Sequence, residues 1–425
     1  MINKYKNLLF QNLNDRQIFF KNSFWRMAGV LPNKLIRLVI ILLAARELGP
    51  TLFGTYNYAV ALVTLAFIFS DWGINILLIR DYQQQEDKKR VVATALLARL
   101  GILAVTLLVA LVILIVAPDR GRLFVPGLII VLTLSVGHVK ELFNSVFLAV
   151  QKAELEAKIF LFDNFVSVIS FFLVFYFFPS VINLALVYLI INLFVLVFSY
   201  YYARRLVVIN LRFSSWSFLK QLLKNGLPLS LFGILSYIFF STDQLILKHY
   251  LGYTEVGYYA LASRLVLSLQ ILPSVLNNVI LPIVSQNVAI VEKNRAIIKR
   301  GLLWLGGVGA GLTVLIFAIT PWLMPFFGPQ YAATTSLIQW LSLILIPMFM
   351  TSLLDHVLIA YNQQKQDFYL TAIAAVFNLI LSLVLIPRIG LIGAVGAGIT
   401  SQTINFALTG FWVHRVLKNK KICSA

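Results

Sequence analysis

The sequence predicts an all-α polytopic membrane protein. About twelve transmembrane helices form two six-helix bundles, related by a pseudo-two-fold axis along the membrane normal. Three observations carry this. The 425 residues are 60% hydrophobic and 12% charged, with a mean hydropathy of +0.88, and a water-soluble domain of this length needs far more charge to cover its surface. Several apolar stretches reach the roughly 18–20 residues that cross a hydrocarbon layer about 30 Å thick. A motif near residue 50 also returns near residue 253.

Apolar runs and their breaks place helices at about 24–47, 54–80, 91–117, 124–150, 158–178, 181–202, 227–249, 256–284, 297–320, 334–360, 368–386 and 391–417. The punctuation is Leu48-Gly49-Pro50, Ala117-Pro118-Asp119, Phe178-Pro179-Ser180, Gly328-Pro329 and Pro387-Arg388-Ile389-Gly390. The fifth and sixth runs are nearly continuous. Residues 1–21 are polar, so no cleavable leader is expected and the first helix serves as the targeting signal.

The basic residues orient these spans. Lys4, Lys6, Arg16 and Lys21 precede the first helix, and Lys88, Lys89 and Arg90 the third. Arg204, Arg205, Arg212, Lys220 and Lys224 join the halves, and Arg415, Lys418, Lys420 and Lys421 close the chain. The alternate loops carry little beyond Arg46, Arg120, Arg122, Lys248 and Arg388. This asymmetry is the positive-inside pattern. It predicts both termini in the cytoplasm and a location in the cell (cytoplasmic, or inner) membrane. It also accounts for most of the net charge of +19, so no nucleic-acid partner is expected. Cys423 is the only cysteine and the four histidines are scattered, which leaves no metal site and no disulfide framework.

The repeat divides the chain. Leu48-Gly49-Pro50-Thr51-Leu52-Phe53-Gly54-Thr55-Tyr56 returns as Leu251-Gly252-Tyr253-Thr254-Glu255-Val256-Gly257-Tyr258-Tyr259. Each copy joins the first and second helix of its half. The expected organisation is a bundle over 1–203, a basic connecting loop over 204–226, and a second bundle over 227–425. Six spans per copy give the halves one orientation, with a central site between them and alternating access as the working principle.

An ionisable group at a helix centre costs at least about 2.5–3.5 kcal/mol, so those within spans are candidates for function. They are Lys34 and Arg37 in the first span, Asp71 in the second, Arg99 in the third, and Lys140 with Glu141 in the fourth. Asp163 stands near the start of the fifth, Asp243 in the seventh, Arg264 in the eighth, and Asp355 beside His356 in the tenth. Lys34, Asp71, Arg99 and Lys140 fall at similar depths, and cations outnumber acids in the first half. Such a cavity suits an anionic head group, because Arg offers phosphate two parallel donors. The plainer alternative is internal pairing: Lys34 or Arg37 with Asp71, Lys140 with Glu141, and Asp243 with Arg264. Arg264, Gln270 and Asn277 recur near helical spacing, which predicts one wet face. The glycine run Gly306–Gly311 follows no strand and is read as helix packing.

At Ala45-Arg46-Glu47-Leu48-Gly49-Pro50, Phe53-Gly54-Thr55-Tyr56 and Asp71-Trp72-Gly73, the chain resembles the polysaccharide transporters called O-antigen or oligosaccharide flippases. Gly257-Tyr258-Tyr259-Ala260 and Ala262-Ser263-Arg264 look like the second-half signature. This family belongs to the multidrug/oligosaccharidyl-lipid/polysaccharide exporter superfamily. The resemblance implies a V-shaped pair of bundles that moves polyprenyl-diphosphate-linked oligosaccharide from the cytoplasmic to the outer leaflet, with coupling to a proton or sodium ion. Implied partners are that lipid-linked oligosaccharide, membrane lipid and polysaccharide assembly proteins; no cofactor is implied.

On this reading Lys34, Arg37, Arg264, Arg99 and Lys140 are the candidates for the diphosphate. Asp71, Asp243 and Glu141 are the candidates for ion coupling or charge pairing. The rival within the superfamily is a multidrug or organic-cation antiporter, whose cavity should favour carboxylates. An enzyme is not expected: the longest outer loop, about residues 321–333, carries no clustered carboxylates and no nucleophile set.

Overall fold

The computed structural model describes residues 15–418, apart from 69, 71 and 287–289. The described residues are overwhelmingly helical and contain no strand. Helix α1 (Asp15–Phe67) is followed by α2 (Ile74–Gln84), α3 (Lys88–Val116), α4 (Arg120–Ala149), α5 (Ala153–Ser170) and α6 (Val181–Ala203). Then come α7 (Trp216–Tyr250), α8 (Tyr253–Ser268), α9 (Ile271–Gln286) and α10 (Val291–Leu323). Helices α11 (Thr334–Ser342), α12 (Leu345–Ala360), α13 (Gln364–Ile389) and α14 (Leu391–Lys418) complete the chain. This is a multi-pass membrane protein.

Ten of the described helices are long and apolar enough to cross a membrane, against about twelve expected spans. Two local features account for the difference. The first two expected spans run together in α1, across a non-helical residue at Gly49 (φ 69°, ψ 172°). The eighth is divided at Leu269-Gln270 into α8 and α9, 16 residues each and shorter than a span. Helix α1 ends at Phe67 and α2 begins at Ile74, and just before it Trp72 and Gly73 take φ of 45° and 62°. A π-helical turn, Phe171–Tyr176, ends the fifth.

Part of the predicted connecting loop is helix instead. Helix α7 begins at Trp216, because Phe218, Leu219 and Leu222 share one face and are buried. Only 204–215 therefore separates the flanking helices. Elsewhere the bilayer pattern is direct: Val105, Leu108, Val112 and Val116 repeat at helical spacing on α3 and are all exposed. That stripe suits hydrocarbon rather than water.

The chain forms two compact units: one from residues up to Leu48 together with Ala59–Ile234, the other from Gly49–Tyr58 together with Leu235–Ala425. Within the first unit α4 packs against α2, α3 and α6, and α5 against α6. Within the second α12 packs against α9, α10 and α14, and α13 against α14. These are the same pairings six spans apart, so the repeat in sequence is a repeat in packing.

The conserved spacing of the motif has a physical reason in the second unit. Gly49 and Gly252, matched in the repeat, both have positive φ, at 69° and 124°, a region that L side chains avoid. Matched Thr51 and Thr254 join through their hydroxyls at 2.8 Å. The glycine run in α10 is a packing feature in part: a Cβ on Gly309 would lie 3.0 Å from Ile346 Cα, whereas Gly307 and Gly311 face open space.

Candidate functional site

A cavity of about 360 Å³ lies within the first unit, walled by α1, α2, α4 and α5. Helix α1 contributes Arg26, Asn33 and Arg37, which the helical repeat brings to one face. Helix α5 contributes Glu156, Phe160 and Asp163 at spacings of four and three, again one face. Lys140, Glu141, Asn144 and Ser145 come from α4, and Asn75 from α2.

Asp163 is the electrostatic centre. Arg37 Nη2 lies 2.8 and 3.0 Å from its two oxygens, and Lys140 Nζ lies 3.6 Å away. Ser167 donates to the same carboxylate at 3.1 Å. Lys140 also donates to Asn192 Oδ1 at 2.6 Å. Asn33 donates to Asn164 Oδ1 at 2.9 Å on the same α1–α5 seam. At another part of the wall Arg26 Nε stands 3.8 Å from Glu156 Oε2. The cavity wall thus carries Arg26, Arg37 and Lys140 against Glu141, Glu156 and Asp163, together with amides that can both donate and accept.

The other predicted residues take different places. Arg99 is fully buried and does not line the cavity. It donates to Ser70 O at 2.6 Å and to Asn75 Oδ1 at 2.9 Å, covering a carbonyl that lies between the end of α1 and the start of α2. Lys34 is exposed on α1 and makes no ion pair among the described residues. Glu141 is largely exposed and lies 3.9 Å from His138 Nδ1. Asp71 lies outside the described residues.

In the second unit Asp243 is 2% exposed and accepts hydrogen bonds from Tyr259 Oη and Ser382 Oγ, each at 2.7 Å. One turn further along α13, Asn378 donates to Ser401 Oγ at 3.0 Å. Arg264 is exposed and makes no ion pair among the described residues.

The expected pairing of Lys34 or Arg37 with Asp71 lies outside the described residues, and other contacts are formed among them. Arg37 and Lys140 meet Asp163, and Asp243 meets two hydroxyls rather than Arg264. The predicted wet face is also broken. Gln270 and Arg264 are exposed, but Asn277 is fully buried and donates to Ser352 Oγ at 2.7 Å. The interruption at Leu269-Gln270 ends the helical register between them.

A family model described as polysaccharide biosynthesis protein matches residues 19–288, well over half of the chain. The chain belongs to this family. A second model, MatE, matches residues 228–384. No curated protein matches the chain by sequence.

Solved structures share the fold of this chain. The lipid II flippase MurJ, in an inward closed conformation, is 17% identical with a TM-score of 0.77, over 94% of this chain and 90% of that one. An inward-facing MATE family multidrug resistance transporter of the MOP superfamily is 14% identical with a TM-score of 0.66, over 100% and 99%. A MATE transporter of Vibrio cholerae, VcmN, is 13% identical with a TM-score of 0.65, over 96% and 98%. These are membrane transporters and flippases, and the two-lobed helical bundle is common to them.

Sequence reasoning missed Asp163 as the partner of Arg37 and Lys140, and missed Asn33, Asn75, Asn144 and Glu156 as cavity residues. A signal was present. Glu156, Phe160 and Asp163 recur on one helical face, and Asp163-Asn164 is a polar doublet inside an apolar run.

Proposed function

We propose that the chain is a flippase. It carries polyprenyl-diphosphate-linked oligosaccharide, such as an O-antigen, capsule or exopolysaccharide repeat unit, from the cytoplasmic to the outer leaflet by alternating access. The observation that carries this reading is the match of a polysaccharide biosynthesis family to residues 19–288 of a chain with a transporter fold. Movement across the membrane then requires no bond to be made or broken, and the side chains have only to bind, orient and release.

In this reading Arg37 and Lys140 hold Asp163 until an anionic head group competes for them. A diphosphate offers more acceptor oxygens than one carboxylate and suits the planar guanidinium. Lys34, exposed on α1, is a further contact, and Arg264 is the candidate in the second unit. Arg99 acts at one remove, by holding Asn75 at the cavity wall. Asn33, Asn75 and Asn144 suit sugar hydroxyls, which both donate and accept. Asp243 exchanges a proton or a sodium ion, with Asp71 and Glu141 as the corresponding carboxylates of the first half.

A specific observation favours a second reading, transport of organic cations. The MatE model matches 228–384, and the first-unit cavity has as many acidic as basic side chains. Proteoliposomes separate the two. Labelled polyprenyl-diphosphate oligosaccharide, loaded in the inner leaflet, should become accessible outside faster with the protein than without it, and Arg37→Gln should abolish the difference. No acceleration with several sugar chains, under imposed proton and sodium gradients, would move the assignment to the cation antiporter.

A further inference from the structure

We infer that the segment from Arg204 to Lys224 is a binding face for anionic lipid head groups, built where two membrane spans meet the bilayer surface. Two candidate spans bracket its first part, Val181–Ala203 and Trp216–Phe239. Both ends of the short connection are therefore tethered at the level where hydrocarbon gives way to head groups. The stretch 204–224 holds five cations and no acidic residue. Lys88, Lys89 and Arg90 stand beside it at the start of α3, joined to it where the Ser215 amide donates to Thr94 Oγ1 at 3.1 Å.

The apolar residues divide into two sets. Val207, Phe218 and Leu222 are buried and fix the segment to the first unit. Leu211, Phe213 and Trp216 point outward, Trp216 at 68% exposure. Their surface is not needed for the core. Held at the bilayer boundary, such side chains enter the interfacial layer, as Trp characteristically does.

The cations are arranged with the rings. Lys89 Nζ lies 5.5 Å from the centre of the Phe213 ring, Lys220 Nζ 5.7 Å from Trp216, and Arg205 Cζ 4.2 Å from Tyr201. A ring inserted at head-group depth thus carries its cation to the lipid phosphates. The connections at 117–119 and 177–180 combine no such set of cations and outward rings. Anionic phospholipid is the occupant that matches this charge, this amphipathic pattern and this position together. The inference does not depend on what the protein transports.

The test uses the full chain carrying Cys423→Ser and Leu211→Cys, labelled with a fluorophore and placed in nanodiscs of phosphatidylcholine, alone or mixed with phosphatidylglycerol. Brominated lipid should quench the label strongly and aqueous iodide weakly, and phosphatidylglycerol should strengthen the lipid quenching several-fold. Replacing Arg204, Arg205 and Arg212 by Gln should remove most of that phosphatidylglycerol dependence, because each basic residue near a charged surface adds to the attraction. Replacing Arg120 and Arg122, at the start of α4, should leave it intact. Strong iodide quenching in every composition would overturn the inference and give the face to an acidic protein partner. Equal lipid quenching with and without phosphatidylglycerol would also overturn it, since the segment would then be a neutral anchor.

Discussion

Gly54 and Gly257, equivalent positions in the two repeats, are each packed against main chain of the other repeat's motif. A Cβ on Gly54 would lie 1.7 Å from Tyr253 O, and one on Gly257 would lie 1.9 Å from Pro50 O. The contact lies within the second unit, where Gly49–Tyr58 is seated on the start of α8. No side chain fits there, because the obstacle is main chain on both sides. Gly54→Ala and Gly257→Ala should each cost about 1–3 kcal/mol, the usual range for overpacking a close contact. Thermal unfolding of the purified variants would measure it. Both substitutions strain one crossing, so the double variant should lose less than the sum of the singles. Full additivity would mean that the two glycines act at separate contacts.

The ion pair between Arg37 and Asp163 allows stability and transport to be separated. Removing one partner of a buried pair leaves a charge uncompensated and typically costs about 3–5 kcal/mol. Arg37→Gln and Asp163→Asn should each lower the unfolding temperature, the first more mildly because Lys140 and Ser167 still meet the Asp163 carboxylate, whereas the second takes the shared counter-charge from both Arg37 and Lys140. The double variant Arg37→Gln/Asp163→Asn should recover most of the stability. If Arg37 engages the diphosphate, flipping stays lost in that double variant. Recovered flipping would make the pair purely structural.

Arg99 and Arg264 should behave oppositely. Arg99 is fully buried on Ser70 O and Asn75 Oδ1, and its loss uncovers the Ser70 carbonyl between α1 and α2. Arg99→Leu should destabilise by several kcal/mol, since a buried carbonyl is then left without its charged donor. Arg264 is exposed, and Arg264→Gln should change stability by no more than about 0.5 kcal/mol. Its effect should fall on substrate transport instead. Parallel unfolding and flipping assays on the two variants would check the contrast, and a destabilised Arg264→Gln would refute the assignment.

The spans were legible because the bilayer imposes a length and a polarity on each of them, and the repeat was legible because Gly49/Gly252 and Gly54/Gly257 are positions where only glycine fits. The breaks inside spans were not. The end of α1 at Phe67 and the break at Leu269-Gln270 carry no proline, and at the first the open Ser70 carbonyl is met by the distant Arg99. The cavity was half legible. Arg37 and Lys140 stand out as charges in apolar runs, but their partner Asp163 is more than 100 residues from Arg37 in sequence. Pairing by proximity in sequence or by estimated depth therefore chose Asp71 and Glu141. Asp243 was found as a carboxylate in a span, yet its partners Tyr259 and Ser382 are ordinary residues until the fold brings them together.

Asp243 supplies the sharpest test of ion coupling. Both of its oxygens accept a hydroxyl, from Tyr259 and from Ser382, and it forms no ion pair among the described residues. Asn in its place keeps an acceptor oxygen for one hydroxyl. Its amide can donate to the other, because a hydroxyl also accepts. Asp243→Asn should therefore leave the fold intact, with unfolding shifted by no more than about 1 kcal/mol, the net worth of one hydrogen bond. What it cannot do is bind and release a proton or a sodium ion, because the amide carries no negative charge. In proteoliposomes the variant should still equilibrate labelled lipid-linked oligosaccharide between leaflets but lose any stimulation by an imposed proton or sodium gradient. Stimulation equal to that of the unaltered protein would remove Asp243 from the coupling mechanism and leave its two hydrogen bonds as packing within α7, α8 and α13.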